Sequence, residues 1–298
     1  MMDIKDFFEM QRVYEAGYLK QEPISNEMKT QQLALCAHAE ISSMLSKTNL
    51  QHHHVYKDYP ISETVNTIKY EAVDVVRYMI AIMNQWGISG EDFSNAYDKK
   101  DTYLRLRANI DNKMYDGQPV VIVDLDDVIV DFRQCFANWL EQNWNLKIDV
   151  DSEEYYFISE LSNAGLNPEV VFETFTEQGG FALPDIKKGA HRYLWDLKNK
   201  GYWIQYLTAR PYENLQCRYD TYSWIAKHLL PYDGIDFSSE KFRWCAKSSL
   251  YNYIEFAIDD SPKHAQEYAM HGIYCKVPEM PYNKQIVGID NIERCKLF

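Results

Sequence analysis

Two carboxylates two residues apart, Asp124 and Asp126, stand directly behind the apolar run Val120-Val121-Ile122-Val123. The run reads as a buried strand and the pair as its C-terminal tip, which in a parallel α/β sheet is where ligands bind. One carboxylate there can attack phosphorus while its neighbour shuttles a proton, and both can help hold Mg²⁺. An Asp-x-Asp alone is a weak signal; its weight comes from the order of the groups further along the chain. Tyr206-Leu207-Thr208-Ala209-Arg210-Pro211 closes a second apolar strand, Lys247 comes next, and Ile258-Asp259-Asp260-Ser261-Pro262 closes a third. Lys241 competes with Lys247 for the cationic role. Lys247 is preferred, because Lys247-Ser248-Ser249-Leu250 reads as the start of a helix leading into the third strand.

That series resembles the haloacid dehalogenase (HAD) phosphohydrolase superfamily, whose motifs are a strand-end DxD, a strand-end Thr or Ser, a Lys and a strand-end acidic pair. Gly179-Gly180-Phe181, then Gly189-Ala190 and the helix to Leu197, look most like its 5′(3′)-deoxyribonucleotidase branch, over roughly residues 118–298. The resemblance implies that Asp124 is the nucleophile, forming an aspartyl-phosphate, and that Asp126 is the acid and base. It implies that Thr208, Lys247 and Arg210 bind the substrate phosphate. It also implies Mg²⁺ held by Asp124, the Asp126 backbone carbonyl and Asp259, with Asp260 in support, and a (deoxy)nucleoside monophosphate as substrate. Asp127 departs from the branch, which usually has Gly there; it adds a charge near the metal and bears on fine substrate preference.

The elements that must position these residues alternate. Strands are expected near 119–124, 203–208, 254–259 and 273–277, with helices at about 132–144, 187–200, 217–230 and 262–271. Ser261-Pro262 supplies an N-cap followed by Pro at the first helical position, and Gly272 a stop. Such alternation predicts a parallel sheet with right-handed crossovers, here an α/β Rossmann-like HAD domain at 119–298. The helical, polar interval 133–186 reads as a cap inserted over the site.

Before a polar linker at 113–118 the texture is helical, with helices expected at about 3–18, 26–47, 62–86 and 90–109. The third carries Val65, Ile68, Val75, Val76, Met79, Ile80 and Met83 at spacings of an amphipathic bundle and stops at Gly87. Glu71 and Asp74 share one helical face, as do Glu40 and Ser43, and Tyr97, Lys100, Leu104 and Arg107 follow on a later helix. A lone ExxD is usually a solvated face. Together the residues resemble the MazG-like, all-α NTP pyrophosphohydrolases, whose pattern is ExxE, ExxD, then YxxKxxxNxxR. The resemblance implies an all-α MazG-like bundle over 1–112 with a second metal site at Glu40, Glu71 and Asp74 and substrate contacts from Tyr97, Lys100 and Arg107. Ser43 stands where that family has its second Glu and Leu104 where it has Asn. Three carboxylates can still hold one Mg²⁺ completed by water.

Composition bounds the alternatives. At 46% hydrophobic and 25% charged residues, the chain of 298 has the make-up of a packed soluble protein with room for two domains. No apolar run approaches the roughly 20 residues of a membrane span, and the first residues lack a signal-peptide layout. Six scattered cysteines without a CxxC pair read as reduced thiols, so a cytoplasmic setting is expected, a host's cytoplasm if a phage encodes the chain. A net charge of −13 argues against a nucleic-acid polymer as partner, while a metal can still recruit a small nucleotide. His52-His53-His54 reads as a polar loop. The apolar helix face in so short a bundle predicts a homo-oligomer. Two activities in sequence would take a triphosphate to a monophosphate and then to a nucleoside, which suits a virus or phage that drains one nucleotide from the pool. The rival reading is a catalytically dead bundle serving as a dimerisation or nucleotide-sensing module on a working phosphatase.

Overall fold

The computed structural model describes residues 3–18, 25–46, 61–155 and 157–298; the His52–His54 loop lies outside them. The described chain divides into two compact units, 1–98 and 99–298.

Unit 1 is helical. It contains α1 (Ile4–Tyr18), α2 (Asn26–Ser46), α3 (Ile61–Gln85) and the first turns of α4 (Gly90–Asp111), with α1 and α2 both packed on α3. α4 starts on a reciprocal cap: the Ser89 N–H and hydroxyl donate to Asp92 Oδ2 at 2.8 and 2.6 Å, and the Asp92 N–H returns to Ser89 Oγ at 3.1 Å. Gly90 is needed there, since a Cβ on it would lie 2.9 Å from Lys5 Cα. The core is thin: among the described residues of the unit, Phe8, Ala37, Ile80 and Ala81 are the buried apolar ones. Of the apolar residues on the α3 face from which an oligomer is expected, Val65, Ile68, Val76 and Met79 are exposed, Val75 and Met83 half-buried and Ile80 buried.

The units part between Asp98 and Lys99, inside α4, whereas the polar stretch after residue 112 is where the sequence pattern puts the break. The last turns of α4 go with unit 2 because buried Tyr103 packs edge-on to Tyr222, ring centroids 4.9 Å apart.

Unit 2 is built on six strands, β1 (Val120–Val123), β2 (Trp203–Thr208), β3 (Gly234–Phe237), β4 (Ile254–Ile258), β5 (Cys275–Pro278) and β6 (Ile292–Cys295). They form one parallel sheet in the order β3-β2-β1-β4-β5-β6. The helices are α5 (Phe132–Trp144), α6 (Ile158–Asn163), α7 (Pro168–Glu177), α8 (Ala190–Asn199), α9 (Leu215–Lys227), α10 (Lys241–Lys247) and α11 (Pro262–Met270). Strands alternating with helices in this order make a doubly wound, Rossmann-like α/β fold. β1 alternates between two cores: Val121 and Val123 join Phe136, Leu194 and Ile225 on one face, and Val120 and Ile122 join Cys245 and Tyr268 on the other. Each such fully buried Val or Ile contributes about 1.5–3 kcal/mol, so β1 and the Asp124 that follows it are strongly fixed. β1 is also the switch point of strand order, with β2 on one side and β4 on the other, and the crevice beyond its carboxyl end is the expected ligand position. Between β1 and α8 lie α5, α6, α7 and a 3-10 turn at Gly180–Ala182, the interval read as a cap.

β3 and β6 were not expected from sequence. β3 is only Gly-Ile-Asp-Phe, and β6 is an edge strand of Ile-Glu-Arg-Cys, so neither carries a buried apolar run.

Candidate active site

The sheet register builds the site. Val123 pairs with Ile258, so one residue further Asp124 and Asp259 stand side by side at the strand tips. The Asp124 N–H donates to Ile258 O at 2.9 Å, which keeps the ladder intact up to the first carboxylate. Between the two side chains sits Lys241, whose Nζ lies 2.8 Å from Asp124 Oδ1 and 2.7 Å from Asp259 Oδ2. Its side chain is 1% exposed.

Lys247, the lysine preferred from sequence, is instead exposed at the last position of α10. The helix begins with Lys241 and ends with Lys247, the reverse of the expected start. A first-turn side chain reaches back toward the strand tips, and one two turns on does not.

Charge and burial compete in this cluster. Burial and the neighbouring Asp259 and Asp126 push the Asp124 carboxyl up, to about 6, against the pull of Lys241. Burial also works against the Asp259 anion, yet Lys241 and His264 override it and hold that carboxyl at about 2. The Lys241 ammonium is held charged despite its burial by Asp124 and Asp259. Asp260 is driven well above the usual carboxylate range by burial and by Asp124, Asp259 and Asp127.

Among the described residues Asp124, Asp259 and Asp260 are the set of three whose ligand atoms all lie within 4.8 Å of one another. Asp260 Oδ2 accepts the Tyr282 hydroxyl at 2.5 Å, while its buried Oδ1 has no hydrogen-bond partner. A partnerless carboxylate oxygen beside two more carboxylates fits a divalent hard cation.

Asp126 is placed differently. Arg210 grips it at both oxygens, Nη2–Oδ1 2.6 Å and Nε–Oδ2 2.8 Å. The guanidinium is locked by Thr221 Oγ1 at 3.0 Å and lies 4.6 Å over the Phe181 ring. Arg210, expected to bind phosphate directly, is thus committed to orienting Asp126, although it also lines the cavity. Thr208 is fully buried; its Oγ1 accepts the Arg210 N–H at 3.2 Å, which leaves its own proton to donate.

Asp127, the departure from the branch pattern, has φ 55°, a left-handed conformation that costs a non-glycine residue about 1–2 kcal/mol. Its side chain offsets this by accepting the Arg133 N–H at 3.0 Å. Burial raises its carboxyl to about 6, opposed by Lys187.

In front of Asp124, Asp126 and Asp260 opens a cavity of about 310 Å³ walled by Phe132, Tyr155, Phe172 and Phe181, with Glu169 among its lining. The wall is rigid: Phe175 packs edge-on to Phe132, Phe136 and Phe181. Gly180 permits this, because a Cβ there would lie 2.5 Å from the Phe175 ring. An anionic floor that suits a metal, beneath an aromatic chamber, can seat a phosphoryl group below and a flat organic group above.

In unit 1, Glu40 and Glu71 meet closely enough that a hydrogen bond between them, then burial and repulsion by Glu71 and Asp74, raise the Glu40 carboxyl. Ser43 Oγ donates to Glu71 Oε1 at 2.9 Å. These acids are less tightly gathered than the strand-end set. Tyr97 is exposed in unit 1, whereas Lys100 and Arg107 belong to the stretch of α4 in unit 2. Arg107 is occupied there by the Tyr103 hydroxyl at 3.2 Å and by Asp111 at 3.5 Å.

Sequence reasoning did not find Arg133 or Tyr282, which buttress the site from outside any motif, and it underrated Lys241. The only sequence signal for Arg133 was a charged residue between Phe132 and the apolar side of α5.

A strand-end carboxylate paired to a buried lysine, a second carboxylate clamped by an arginine and an acidic pair at the tip of β4 are the arrangement of a HAD-type phosphohydrolase. The chain belongs to the family of 5′ nucleotidase, deoxy (pyrimidine), cytosolic type C proteins, whose profile matches residues 118–295. No curated protein sequence matches. Among solved structures, the chain is similar to a HAD-superfamily hydrolase from Ehrlichia chaffeensis at 21% identity and TM-score 0.34, covering 55% of this chain and 90% of that one. It is also similar to a hydrolase from Streptococcus pneumoniae TIGR4 at 17% identity and TM-score 0.36, covering 54% and 92%. Both likenesses are distant, and the assignment rests on the profile match. No helix among the described residues is long and apolar enough to cross a membrane.

Proposed function

We propose that unit 2 hydrolyses (deoxy)nucleoside monophosphates with Mg²⁺ as cofactor. The observation that carries this is the Asp124–Lys241 pair at the floor of an aromatic cavity, beside an Asp126 held in a fixed orientation. An Asp124 oxygen attacks phosphorus and the ester P–O bond breaks; protonated Asp126 gives its proton to the departing nucleoside oxygen. Asp126, now a carboxylate, takes a proton from water, whose oxygen attacks the aspartyl-phosphate. The P–O bond to Asp124 breaks and inorganic phosphate leaves. Lys241 keeps Asp124 and Asp259 together as anions, Thr208 donates to a phosphoryl oxygen, and Arg210 aims Asp126. When bound, Mg²⁺ held by Asp124, Asp259 and Asp260 neutralises charge on the phosphoryl oxygens. Aromatic rings of the cap stack on the nucleobase.

The test is a phosphate-release screen over nucleoside monophosphates with Mg²⁺, repeated with Asp124→Asn. That substitution keeps size and removes the charged nucleophile, so turnover should fall by three orders of magnitude or more, on the order of 4 kcal/mol in barrier. Retention of a tenth of the activity would refute a covalent aspartyl mechanism.

For unit 1 we propose weak, Mg²⁺-dependent pyrophosphohydrolysis of a narrow set of deoxynucleoside triphosphates. The convergence of Glu40, Glu71 and Asp74 favours it. The substitution at Ser43 limits it, since one fewer negative charge leaves room for one ion where a triphosphate usually needs more.

A further inference from the structure

The irregular chain after α5 carries Tyr155 into the cavity wall, and the Arg133 side chain gathers the backbone that holds it. Arg133 Nε donates to Val150 O at 3.0 Å, Nη2 to Ser152 O at 3.0 Å, and Nη1 to Glu154 O and Tyr155 O at 2.9 and 3.1 Å. The residue is 3% exposed, and its guanidinium lies over the rings of Phe157 and Tyr282 at 4.1 and 4.9 Å. Four carbonyls with no strand or helix to satisfy them are collected by one planar fork, a geometry that a lysine ammonium cannot reproduce.

The other end of the same assembly reaches the phosphoryl floor. The Arg133 N–H donates to Asp127 Oδ1, and Tyr282 packs edge-on to Tyr155 at 4.8 Å. The Tyr282 hydroxyl donates to Asp260 Oδ2, with Asp127 Oδ2 3.4 Å away. Arg133 does not line the cavity itself. It fixes the height of one aromatic wall above the carboxylates.

We propose that Arg133 is a positioning residue that sets how tightly the organic group of the phosphomonoester is bound, acting through Tyr155 and the loop whose carbonyls it gathers. The proposal rests on the phosphatase reading of the cavity. It separates two demands on the site: Asp124, Lys241 and Asp259 act on any phosphoryl group, whereas the Arg133-hung wall acts only on esters that carry a ring to stack.

The test compares full-length wild type, Arg133→Gln and Arg133→Lys on two probes: the nucleoside monophosphate the wild type hydrolyses best, and acetyl phosphate, which has no ring. Arg133→Gln should lower kcat/KM for the nucleotide at least tenfold more than for acetyl phosphate, with most of the change in KM. Arg133→Lys should recover part of the gap. Amide hydrogen exchange at residues 150–155 should speed up in the same order. Equal losses on both probes would mean general structural damage and overturn the proposal, as would unchanged exchange in that loop. If Arg133→Gln does not fold, Arg133→Lys must show the same selective loss, and its absence overturns the proposal. Wild type that hydrolyses acetyl phosphate but no nucleotide removes the nucleotide reading and this inference with it. Wild type active on both, with Arg133→Gln unselective, removes this inference alone.

Discussion

At the scale of the residue, the site turns on one lysine. Lys241 is the sole cation in contact with both Asp124 and Asp259 among the described residues, at 2.8 and 2.7 Å. Removing one partner from a buried charge cluster costs about 3–5 kcal/mol, because the remaining ions are left uncompensated. Lys241→Met is therefore expected to lower stability by about that amount and to abolish phosphate release. Lys247→Ala changes an exposed helix terminus, where effects stay within about 0.5 kcal/mol and activity is expected within twofold of wild type. Chemical denaturation and phosphate release on the pair of variants check this. Comparable activity losses in both would return Lys247 to the site. Of the residues expected at this centre, Asp124, Asp126, Thr208, Asp259 and Asp260 were legible because each ends an apolar strand run. The lysine was not, because its position depends on where a short helix starts, and boundaries are the weakest part of a sequence pattern.

Among elements, the contrast lies between strands that carry a run and strands that do not. β1 and β2 are buried along their whole length and β4 over its last three residues, and all three were plain in the sequence. β3 and β6 exist because neighbours template them: Gln205 to Thr208 of β2 pair with Gly234 to Phe237, and β6 pairs along β5. In unit 1 the helical spacing placed Glu40, Glu71 and Asp74 on facing elements, and α2 does pack on α3. What this acid set does is tested in an Asp124→Asn background, so that unit 2 cannot consume the product. Pyrophosphate should appear slowly from a few deoxynucleoside triphosphates and vanish when Glu71→Gln is added. No pyrophosphate from any triphosphate would reduce the bundle to a scaffold.

For the whole molecule, the carboxylates in and beside the cavity make stability depend on pH, and the proposed Mg²⁺ is expected to change that dependence. Asp124 and Asp127 are raised to about 6 in the folded chain, so the native state holds more protons than the unfolded one between about pH 4 and 6. Their contribution is present below the unfolded value and is lost as pH rises through 6. Asp259, held at about 2, works the other way: its contribution is present above pH 4 and is lost as pH falls toward 2. With metal chelated, Tm should peak on the acid side and decline from pH 4.5 to 7. A cation favours the ionised carboxylates, so Mg²⁺ should raise Tm more at pH 7 than at pH 4.5. A Tm gain from Mg²⁺ that is the same at both pH values would count against a metal at this cluster.

Sequence alone dictated the order of chemical groups along the chain and the parallel α/β alternation that brings them to one sheet edge. Both are local facts: an apolar run must be buried, and the polar residue that ends it stands at the carboxyl tip of the strand. Packing in three dimensions selected which cation meets Asp124, committed the Arg210 fork to Asp126, and tied the aromatic wall to the carboxylate floor through Arg133 and Tyr282. Those contacts join residues far apart in the chain, Asp126 to Arg210 and Asp260 to Tyr282 among them. No periodicity encodes such pairings, because they are set by how the completed sheet and its cap close around a shared volume.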